Sequence, residues 1–350
     1  MQSRLRLILI NLGVFLVLLL VLEAGARLFF PRDLRAMFND PEVFTRGRPF
    51  VVPDPSRGFA LAPGFDRGRY RINRTGFRGP DLPADLAQHT VLLAVGDSGT
   101  FGWGVDEADT YPSRLQELCR QHCSNDLLVI NGGVPSYTSA QVLVYLRALV
   151  PSLKPRIVLA GVFWNDVLYS VLPNWLPEHL IIQQPAPWRQ QLLRYSGLYR
   201  ALTMERRPPP GVRAVTINQS ALALYLDNLR AMRRECEKAG AELLVLAPSF
   251  NAAAVPAEIW KLRDNDVVTS ASMVEVVAGF RRALLDLNRE GLSVVEHRLS
   301  GAPGAGDTGL IDDGFIDLMH PSPLGYGAIA ADLVAALAAR GVCQPASPGE

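Results

Sequence analysis

The sequence predicts an α/β protein, a three-layer α/β/α sandwich around a five-stranded parallel sheet, preceded by one N-terminal transmembrane helix. From residue 91 onwards, short apolar runs alternate with longer capped segments, which is typical of parallel strands joined by helices. Apolar residues make up 49% of the 350 residues and charged residues 20%, as in a globular protein with a substantial core. The first thirty residues are instead dominated by one apolar run.

Each predicted strand is a short apolar run that ends at glycine, proline or a polar residue. The first run, VLLAV, breaks at Gly96, and the fourth is stopped by Pro248. The predicted strands are 91–95, 127–130, 157–162, 242–246 and 292–295.

The segments between the strands carry helix start and stop signals. Thr110 is a polar cap followed by Pro112, and proline is favoured in the first helical turn. Pro151 closes the second helix and Gly240 ends a long amphipathic one. The predicted helices are about 110–120, 139–150, 219–239, 273–290 and 323–340.

Residues 1–30 are predicted to be an uncleaved membrane anchor. Two arginines precede an apolar run over residues 7–22, and extension to residue 30 gives the length of about 20 residues that a membrane span needs. The small residues of Ala24-Gly25-Ala26 also fit a cleavage site, so secretion after signal cleavage is the alternative. Both interpretations place the rest of the chain outside the cytoplasm.

The remaining chain is predicted to have two parts. Residues 31–90, rich in Pro, Arg and Gly, form a lead-in and tether that packs on the main domain. The main domain spans residues 91–343 and contains a proline-rich insertion, residues 167–211. The net charge of +1 and the scattered arginines predict no nucleic-acid partner.

The chain has four cysteines, and an exported location permits disulfides. Four cysteines allow three pairings, which the sequence leaves open: Cys119, Cys123, Cys236 and Cys343. Cys119 and Cys123, with His122 between them, offer too few ligands for zinc, and we predict neither a metal nor another cofactor.

Polar residues follow several predicted strands at the point where each strand ends. Ser98 follows the first strand, Ser136 the second and Asn165 the third. Asp317 and His320 follow the fifth. Because the carboxyl ends of parallel strands lie at one edge of a sheet, we expect these residues to converge.

Ser98 is a candidate nucleophile, because a strand and a Gly-flanked turn deliver it to that edge. Asp317 and His320 are three residues apart, and on a helical turn both side chains face the same way. His320 would then accept the Ser98 proton while Asp317 orients the imidazole. A plain Ser/Gly-rich turn at Ser98 is the alternative. Other acids and another histidine also stay open: Asp312, Asp313 and His179.

The oxyanion that forms during such an attack needs preset hydrogen-bond donors, each worth about 3–4 kcal/mol of barrier. The candidates are the Ser98 N–H, the Asn165 side-chain amide, and a backbone N–H between Gly133 and Ser136. An Asx-type turn is the alternative role for Asn165.

These residues fall into four blocks: Gly96-Asp97-Ser98, Asn131 to Ser136, Gly161 to Asn165-Asp166, and Asp317 to His320. Their order and spacing over residues 91–340 resemble the four sequence blocks of SGNH (GDSL-type) hydrolases, which implies a flavodoxin-like fold. Residues 72–79 (INRTGFRG) and 99–105 (GTFGWGV) are similar to membrane-anchored bacterial members of that family.

The resemblance implies roles for single residues: nucleophile Ser98, base His320, orienting acid Asp317 and oxyanion donor Asn165. The family usually has a donor glycine five residues after the asparagine of its second block, and this chain has Ser136 there. Ser136 and Gly133 therefore both stay open as the backbone donor. An ordinary α/β-hydrolase fits poorly, because Thr100 stands where its G-x-S-x-G elbow requires glycine.

The resemblance implies a serine ester hydrolase that removes small acyl groups, often acetyl, from carbohydrate or lipid through an acyl-enzyme. An anchor in the bacterial inner membrane, with the catalytic domain in the periplasm, favours envelope polysaccharide as the substrate. An O-acyltransferase is the alternative, and a non-catalytic glycan-binding module is the alternative of another class. Three tryptophans are either a sugar-stacking wall or core aromatics: Trp103, Trp164 and Trp175.

Overall fold

The structure is a computed structural model that describes residues 2–29, 50–123, 126–173, 175–181, 192, 196–203, 211–262, 266–301 and 313–343. The chain divides into two compact units. The smaller unit consists of Met1–Pro41 and Gln184–Pro208, and the larger unit of Glu42–Gln183 and Pro209–Glu350.

The larger unit contains every described strand and all but two of the described α-helices. The strands are β1 (Val51–Asp54), β2 (Gly58–Leu61), β3 (Asp66–Arg67), β4 (Tyr70–Arg71), β5 (Thr90–Gly96), β6 (Leu127–Gly133), β7 (Ile157–Gly161), β8 (Glu242–Leu246), β9 (Ile259–Lys261), β10 (Val267–Thr269) and β11 (Ser293–Val295). The helices are α1 (Gln2–Phe29), α2 (Ser98–Phe101), α3 (Tyr111–His122), α4 (Ser139–Leu153), α5 (Trp164–Ser170), α6 (Gly197–Thr203), α7 (Gln219–Lys238), α8 (Ser270–Asp286) and α9 (Pro323–Ala338).

The central sheet has the strand order β11-β8-β7-β5-β6, and every neighbouring pair is parallel. This confirms the predicted five-stranded parallel sheet and the α/β/α fold. β5 lies between β7 and β6, and all its residues after Thr90 are buried. A parallel strand covered on both faces is a continuous apolar run, which explains why VLLAV was recognisable in the sequence.

Polar side chains cap several helices of the larger unit by accepting backbone N–H groups that have no partner within the helix. Thr110 caps α3, and Thr138 and Gln141 form a reciprocal capping box at the start of α4. Ser322 caps α9, with Pro323 in its first turn.

The helix predicted over residues 273–290 begins earlier and divides near its end. α8 starts at Ser270, and a 3-10 turn, Leu287–Glu290, follows it. Gly291 ends this turn with φ 77°, the left-handed conformation in which many helices stop.

The helices α3 and α9 share one buried cluster with strands of the sheet. Tyr111 and Leu115 of α3 lie in this cluster with Tyr326 and Leu333 of α9. The two helices end at the same place, where a disulfide joins the residues that follow them.

That disulfide links Cys123 to Cys343, whose Cα atoms are 5.0 Å apart. Cys119 and Cys236 are buried free thiols. The structure therefore has one disulfide, between the residues that follow α3 and α9, and leaves the other two cysteines as thiols.

Residues 50–90 include two small antiparallel hairpins, β1 with β2 and β3 with β4. The Tyr137 hydroxyl, in the loop after β6, donates to the backbone oxygen of Phe59 in β2. The backbone of Arg78 pairs with that of Asn131 in β6. This part of the lead-in lies directly against the carboxyl end of β6.

The smaller unit contains α1 and α6. Within α1, the 25 residues of Arg4–Leu28 are long and apolar enough to cross a membrane. Glu23 of α1 accepts hydrogen bonds from the N–H groups of Gly197 (2.7 Å) and Leu198 (3.0 Å) and from the Ser196 hydroxyl (2.8 Å). Part of the predicted insertion therefore packs on the predicted anchor.

Candidate active site

Ser98 is the first residue of α2 and comes two residues after the end of β5. The Asp97 carboxylate caps α2 by accepting the Gly99 N–H at 2.8 Å. Gly96 is required by a close approach of two strand ends, since a Cβ there would lie 2.2 Å from the backbone oxygen of Gly161. This turn leaves Ser98 partly exposed at the carboxyl edge of the sheet.

The His320 imidazole lies between Ser98 and Asp317. Its Nε2 is 2.8 Å from the Ser98 Oγ, and its Nδ1 is 2.7 Å from the Asp317 Oδ2. Because a carboxylate only accepts hydrogen bonds, Nδ1–H donates to Asp317 and Nε2 accepts from the Ser98 hydroxyl.

Asp317 is also held by its own backbone. Its Oδ1 accepts the N–H groups of Met319 (2.9 Å) and His320 (2.8 Å). Burial by itself raises the pKa of Asp317, but the hydrogen bonds from His320 and from these two N–H groups outweigh it. The net pKa lies below its usual value, and the carboxylate keeps its charge next to the imidazole.

Residues 316–319 form bends, and the helical turn expected at Asp317 and His320 is wrong. The physical reason is the carboxylate, which binds backbone N–H groups two and three residues ahead and closes an Asx-type turn instead. The loop is fixed from outside as well, because the Asn251 N–H donates to the backbone oxygen of Leu318 at 2.9 Å.

Ser136 and Asn165 follow β6 and β7, the strands on either side of β5. Asn165 is 7% exposed, and its Nδ2 donates to the backbone oxygen of Tyr137 at 2.9 Å. This bond joins the start of α5, after β7, to the loop after β6 that contains Ser136. An amide nitrogen has two N–H groups, so Asn165 can donate a second hydrogen bond.

Ser136 has a φ of 69°, in the left-handed region that favours glycine. Lys154 is the one other non-glycine residue with positive φ in the described part of the chain. The Gly133 N–H donates to the Asn131 Oδ1 at 3.0 Å, and a Cβ on Gly133 would lie 2.2 Å from the backbone nitrogen of Phe101. Gly133 thus serves packing beneath α2, whereas Ser136 has the backbone conformation of a glycine.

Asp166 is a buried acidic residue for which the sequence predicted no role, although it directly follows Asn165. It accepts the Ser139 N–H at 2.8 Å and the Ser139 hydroxyl at 2.5 Å, and Asn228 donates to that hydroxyl at 2.9 Å. Burial raises the pKa of Asp166 to about 7, against the lowering effect of the Ser139 hydrogen bonds. Asp166 ties the loop after β7 to the start of α4.

Arg78 is a second buried, ionisable residue for which the sequence predicted no role, and it is 4% exposed. Its guanidinium donates to backbone oxygens at the end of α2 and beyond it, those of Phe101, Gly102 and Val105. The sequence gives no local sign of this contact, because more than twenty residues separate the donor from its acceptors.

A cavity of about 50 Å³ adjoins the site. Its lining includes the neighbours of Ser98 and His320 along the chain and residues after β7 and β8: Gly99, Met319, Pro321, Trp164, Pro248 and Ser249.

Trp164 is 6% exposed and stacks on Phe250 with ring centres 5.8 Å apart, so it is a core aromatic that also lines the cavity. Trp103 stacks on Tyr70 at 5.3 Å. Trp175 is partly buried.

The alternative acids and base occupy other places. Asp312 and the His179 side chain lie outside the described residues. Asp313 is exposed, and its backbone oxygen accepts the Ser322 hydroxyl. The Nδ1 of His320 is already paired with Asp317.

Three comparisons with known proteins bear on this arrangement. A family model described as the GDSL-like lipase/acylhydrolase family matches residues 94–328. A search of curated proteins finds no match to the chain.

Among solved structures, a GDSL-like lipase from Bacteroides thetaiotaomicron is 14% identical, with 74% of this chain and 93% of that chain covered and a TM-score of 0.44. The esterase EstA from Pseudoalteromonas sp. is 14% identical, with 72% and 98% covered and a TM-score of 0.42. An acetylxylan esterase from Geobacillus stearothermophilus is 16% identical, with 70% and 93% covered and a TM-score of 0.41.

The family model spans about two thirds of the chain and includes both Ser98 and His320. The strand order, the parallel sheet and the position of the Gly96-Asp97-Ser98 turn agree with it. The chain therefore belongs to the GDSL-like lipase/acylhydrolase family and is a hydrolase of the SGNH (GDSL) type.

Proposed function

We propose that the chain is a serine esterase that removes small acyl groups, such as acetyl, from carbohydrate or lipid, with Ser98 as the nucleophile. One observation carries the proposal: the His320 imidazole is held between the Ser98 hydroxyl and the Asp317 carboxylate, at 2.8 Å and 2.7 Å. This is the geometry that a nucleophile, a general base and an orienting acid need.

In the first half of the reaction, Ser98 Oγ attacks the ester carbonyl carbon while its proton moves to the His320 Nε2. The imidazolium donates to Asp317 through Nδ1, and the carboxylate stabilises its charge. Nε2–H then gives its proton to the leaving alcohol oxygen as the ester bond breaks. The acyl group remains on Ser98 as a new ester.

The negative charge on the carbonyl oxygen needs donors that are in place before the reaction. We assign this role to the Ser98 N–H, the Ser136 N–H and the Asn165 Nδ2, which come from the ends of three adjacent strands. We prefer Ser136 to Gly133, because Ser136 has the left-handed backbone that a glycine readily adopts, with a φ of 69°.

In the second half, a water molecule attacks the acyl carbon and passes a proton to the His320 Nε2. The tetrahedral intermediate collapses, and the Ser98 Oγ leaves and recovers its proton from Nε2–H. The products are a small carboxylic acid and free enzyme.

We further propose that α1 is retained as a bacterial inner-membrane anchor, with the larger unit in the periplasm and envelope polysaccharide as the substrate class. Glu23 binds the start of α6, and a Cβ on Gly197 would lie 2.6 Å from the Arg27 nitrogen. These contacts involve the residues around Ala24-Gly25-Ala26, where a signal peptidase would cut. The Cys123–Cys343 disulfide fits an oxidising compartment. A mature protein that lacks residues 1–26 by mass spectrometry would overturn retention of the anchor.

The central test is hydrolysis of p-nitrophenyl acetate by the detergent-purified full chain beside Ser98→Ala. We expect this substitution to lower kcat by about 10³-fold or more, because it removes the attacking atom. His320→Ala should abolish labelling of Ser98 by a fluorophosphonate. His122→Ala, which changes an exposed histidine of α3, is its matched control and should label normally. Equal turnover by the wild type and Ser98→Ala would end the proposal.

The same assay separates the alternatives. With an acetyl ester and an added oligosaccharide, release of acetate alone supports hydrolysis, whereas acetylated oligosaccharide in the mass spectrum identifies an O-acyltransferase. A non-catalytic glycan-binding module would show neither product.

A further inference from the structure

The helix that begins with Ser98 cannot hold its own C-terminal end. α2 has four residues, and the last carbonyl groups of any helix have no partner within it. The Ser98 oxygen accepts the N–H groups of Gly102 (2.9 Å) and Trp103 (3.0 Å). Phe101, the last residue of α2, and Gly102, which follows it, are both buried, so their carbonyl groups need donors from the protein.

Arg78 makes the shortest hydrogen bonds to these carbonyl groups, which also accept the Asn131 Nδ2 at 3.3 Å and the Val105 N–H at 3.4 Å, respectively. Its Nη1 lies 2.6 Å from the Phe101 oxygen and 2.5 Å from the Gly102 oxygen, and its Nη2 lies 2.7 Å from the Val105 oxygen. The planar guanidinium presents its N–H groups as a rigid fork, so one side chain holds three backbone oxygens between residues 101 and 105. The Arg69 side chain and the Tyr70 hydroxyl bind Gly104 within the same turn.

Arg78 is itself held on several sides. Its Cζ lies 4.4 Å from the ring centre of Phe101 and 5.0 Å from that of Tyr70. Its backbone N–H donates to the Asn131 oxygen at 3.0 Å. The lead-in, β6 and the nucleophile helix are therefore joined at this one residue.

The charge of Arg78 is not neutralised by direct contact. In the described part of the chain, no carboxylate oxygen lies within 4.0 Å of its guanidinium nitrogens. Burial lowers the pKa of Arg78 to about 10, so it stays positive at neutral pH. A cation at the C-terminal end of a helix interacts favourably with the backbone carbonyl groups there.

We propose that Arg78 is a positioning residue for the reaction at Ser98: its buried guanidinium fixes the turn after α2, and thereby orients the Ser98 side chain and N–H toward the oxyanion. This inference rests on the proposed role of Ser98. Nothing in it requires Arg78 to touch the substrate.

The test compares Arg78→Lys and Arg78→Met with Arg74→Lys in the full chain. Lysine keeps the charge and loses the fork, and methionine loses both. Arg74 is the matched control, because it lies on the same segment, is 82% exposed and pairs with Asp81. The turnover rate of p-nitrophenyl acetate is divided by the amount of protein that a fluorophosphonate labels at Ser98 when labelling is complete. Misfolded molecules are thereby left out of the comparison.

We expect kcat per labelled Ser98 to fall by about 10- to 100-fold, more for methionine than for lysine, because a small misplacement of the nucleophile has effects of this size. KM should stay within about twofold, since substrate binding is not changed. Inhibition by ethylboronic acid, which forms an anionic tetrahedral adduct on serine, should weaken by the same factor as kcat. An unchanged kcat per labelled Ser98 in both variants would overturn the proposal.

Tyr70→Phe is a milder change at the same turn. It provides the test if neither Arg78 variant folds. The Tyr70 hydroxyl accepts the Gly104 N–H at 3.0 Å, so its loss loosens the turn and leaves the charge in place. We expect a several-fold lower kcat per labelled Ser98 at constant KM, and a wild-type kcat would overturn the proposal. Failure of the wild type to label at Ser98 would instead refute the proposed nucleophile.

Discussion

Replacement of Ser136 by glycine tests the backbone of the proposed oxyanion site. Ser136 has a φ of 69° and is 7% exposed. A side chain in this left-handed conformation costs about 1–2 kcal/mol, because its Cβ crowds the following carbonyl oxygen. Ser136→Gly removes that cost, whereas Ser136→Ala keeps it.

Glycine also has more freedom in the unfolded chain, which costs about 0.5–1 kcal/mol of folding free energy. The two effects oppose each other, and the steric one is larger. We therefore expect Ser136→Gly to be more stable than Ser136→Ala by about 0.5–1 kcal/mol.

Urea unfolding of the two variants measures this difference directly. Lys154→Gly and Lys154→Ala form the matched pair, because Lys154 has a φ of 47° at the end of α4, away from the proposed site residues in sequence. Lys154→Gly should likewise be more stable than Lys154→Ala, and both variants should keep wild-type turnover. Ser136→Gly should keep kcat within about threefold, because the proposed donor is a backbone N–H that every variant retains.

Two results would refute this reasoning. A Ser136→Gly protein less stable than Ser136→Ala would show that the left-handed backbone is not strained by a side chain. A tenfold or greater loss of kcat in Ser136→Gly would show that the hydroxyl, rather than the backbone N–H, serves the reaction.

Three further predictions concern stability. Gly133→Ala should destabilise the fold by about 3 kcal/mol and lower turnover, because the new Cβ would meet the Phe101 backbone at 2.2 Å; urea unfolding and kcat measure both. The Asp166 carboxyl, with its pKa raised from 3.8 to about 7, favours the folded state below pH 4, and this contribution is lost as the pH rises through 7. The unfolding free energy of the wild type relative to Asp166→Asn should therefore fall by up to about 4 kcal/mol between pH 4 and pH 8. Cys343→Ser should lower the unfolding free energy by about 2–5 kcal/mol and abolish its sensitivity to reductant, because the bond to Cys123 closes a long loop.

Each of these predictions has its own control. Gly327→Ala, in α9 with nothing within 4 Å of the new Cβ, should not destabilise, and equal losses at Gly133 and Gly327 would contradict the packing argument. A pH-independent difference between the wild type and Asp166→Asn would refute the raised pKa. Cys236→Ala removes a buried free thiol and should leave the response to reductant unchanged, and a wild type that ignores reductant would argue against the disulfide.

The strands and the motifs at their ends are local properties of the sequence. A buried parallel strand is a continuous apolar run, so VLLAV and the Gly96-Asp97-Ser98 turn after it were recognisable without knowledge of their neighbours. The spacing of Asp317 and His320 likewise predicted that the two side chains meet, although an Asx-type turn replaces the expected helical turn. The α/β/α fold and the family followed from such signals, and both are confirmed.

Other features depend on residues that are far apart in the chain. Proximity of α3 and α9 decides that Cys123 pairs with Cys343. Arg78 reaches the end of α2 only because β6 and the lead-in are packed together.

The sequence by itself determined the elements, their parallel direction and the residues at the carboxyl edge, because hydrophobic pattern and helix caps act over a few neighbouring residues. Only the tertiary structure decided which strands are adjacent, which cysteines pair and which buried charge binds the end of α2. The reason is physical, because many arrangements of the strands and helices satisfy the local pattern. One of them is selected by close packing of the core together with hydrogen bonds to the buried polar groups.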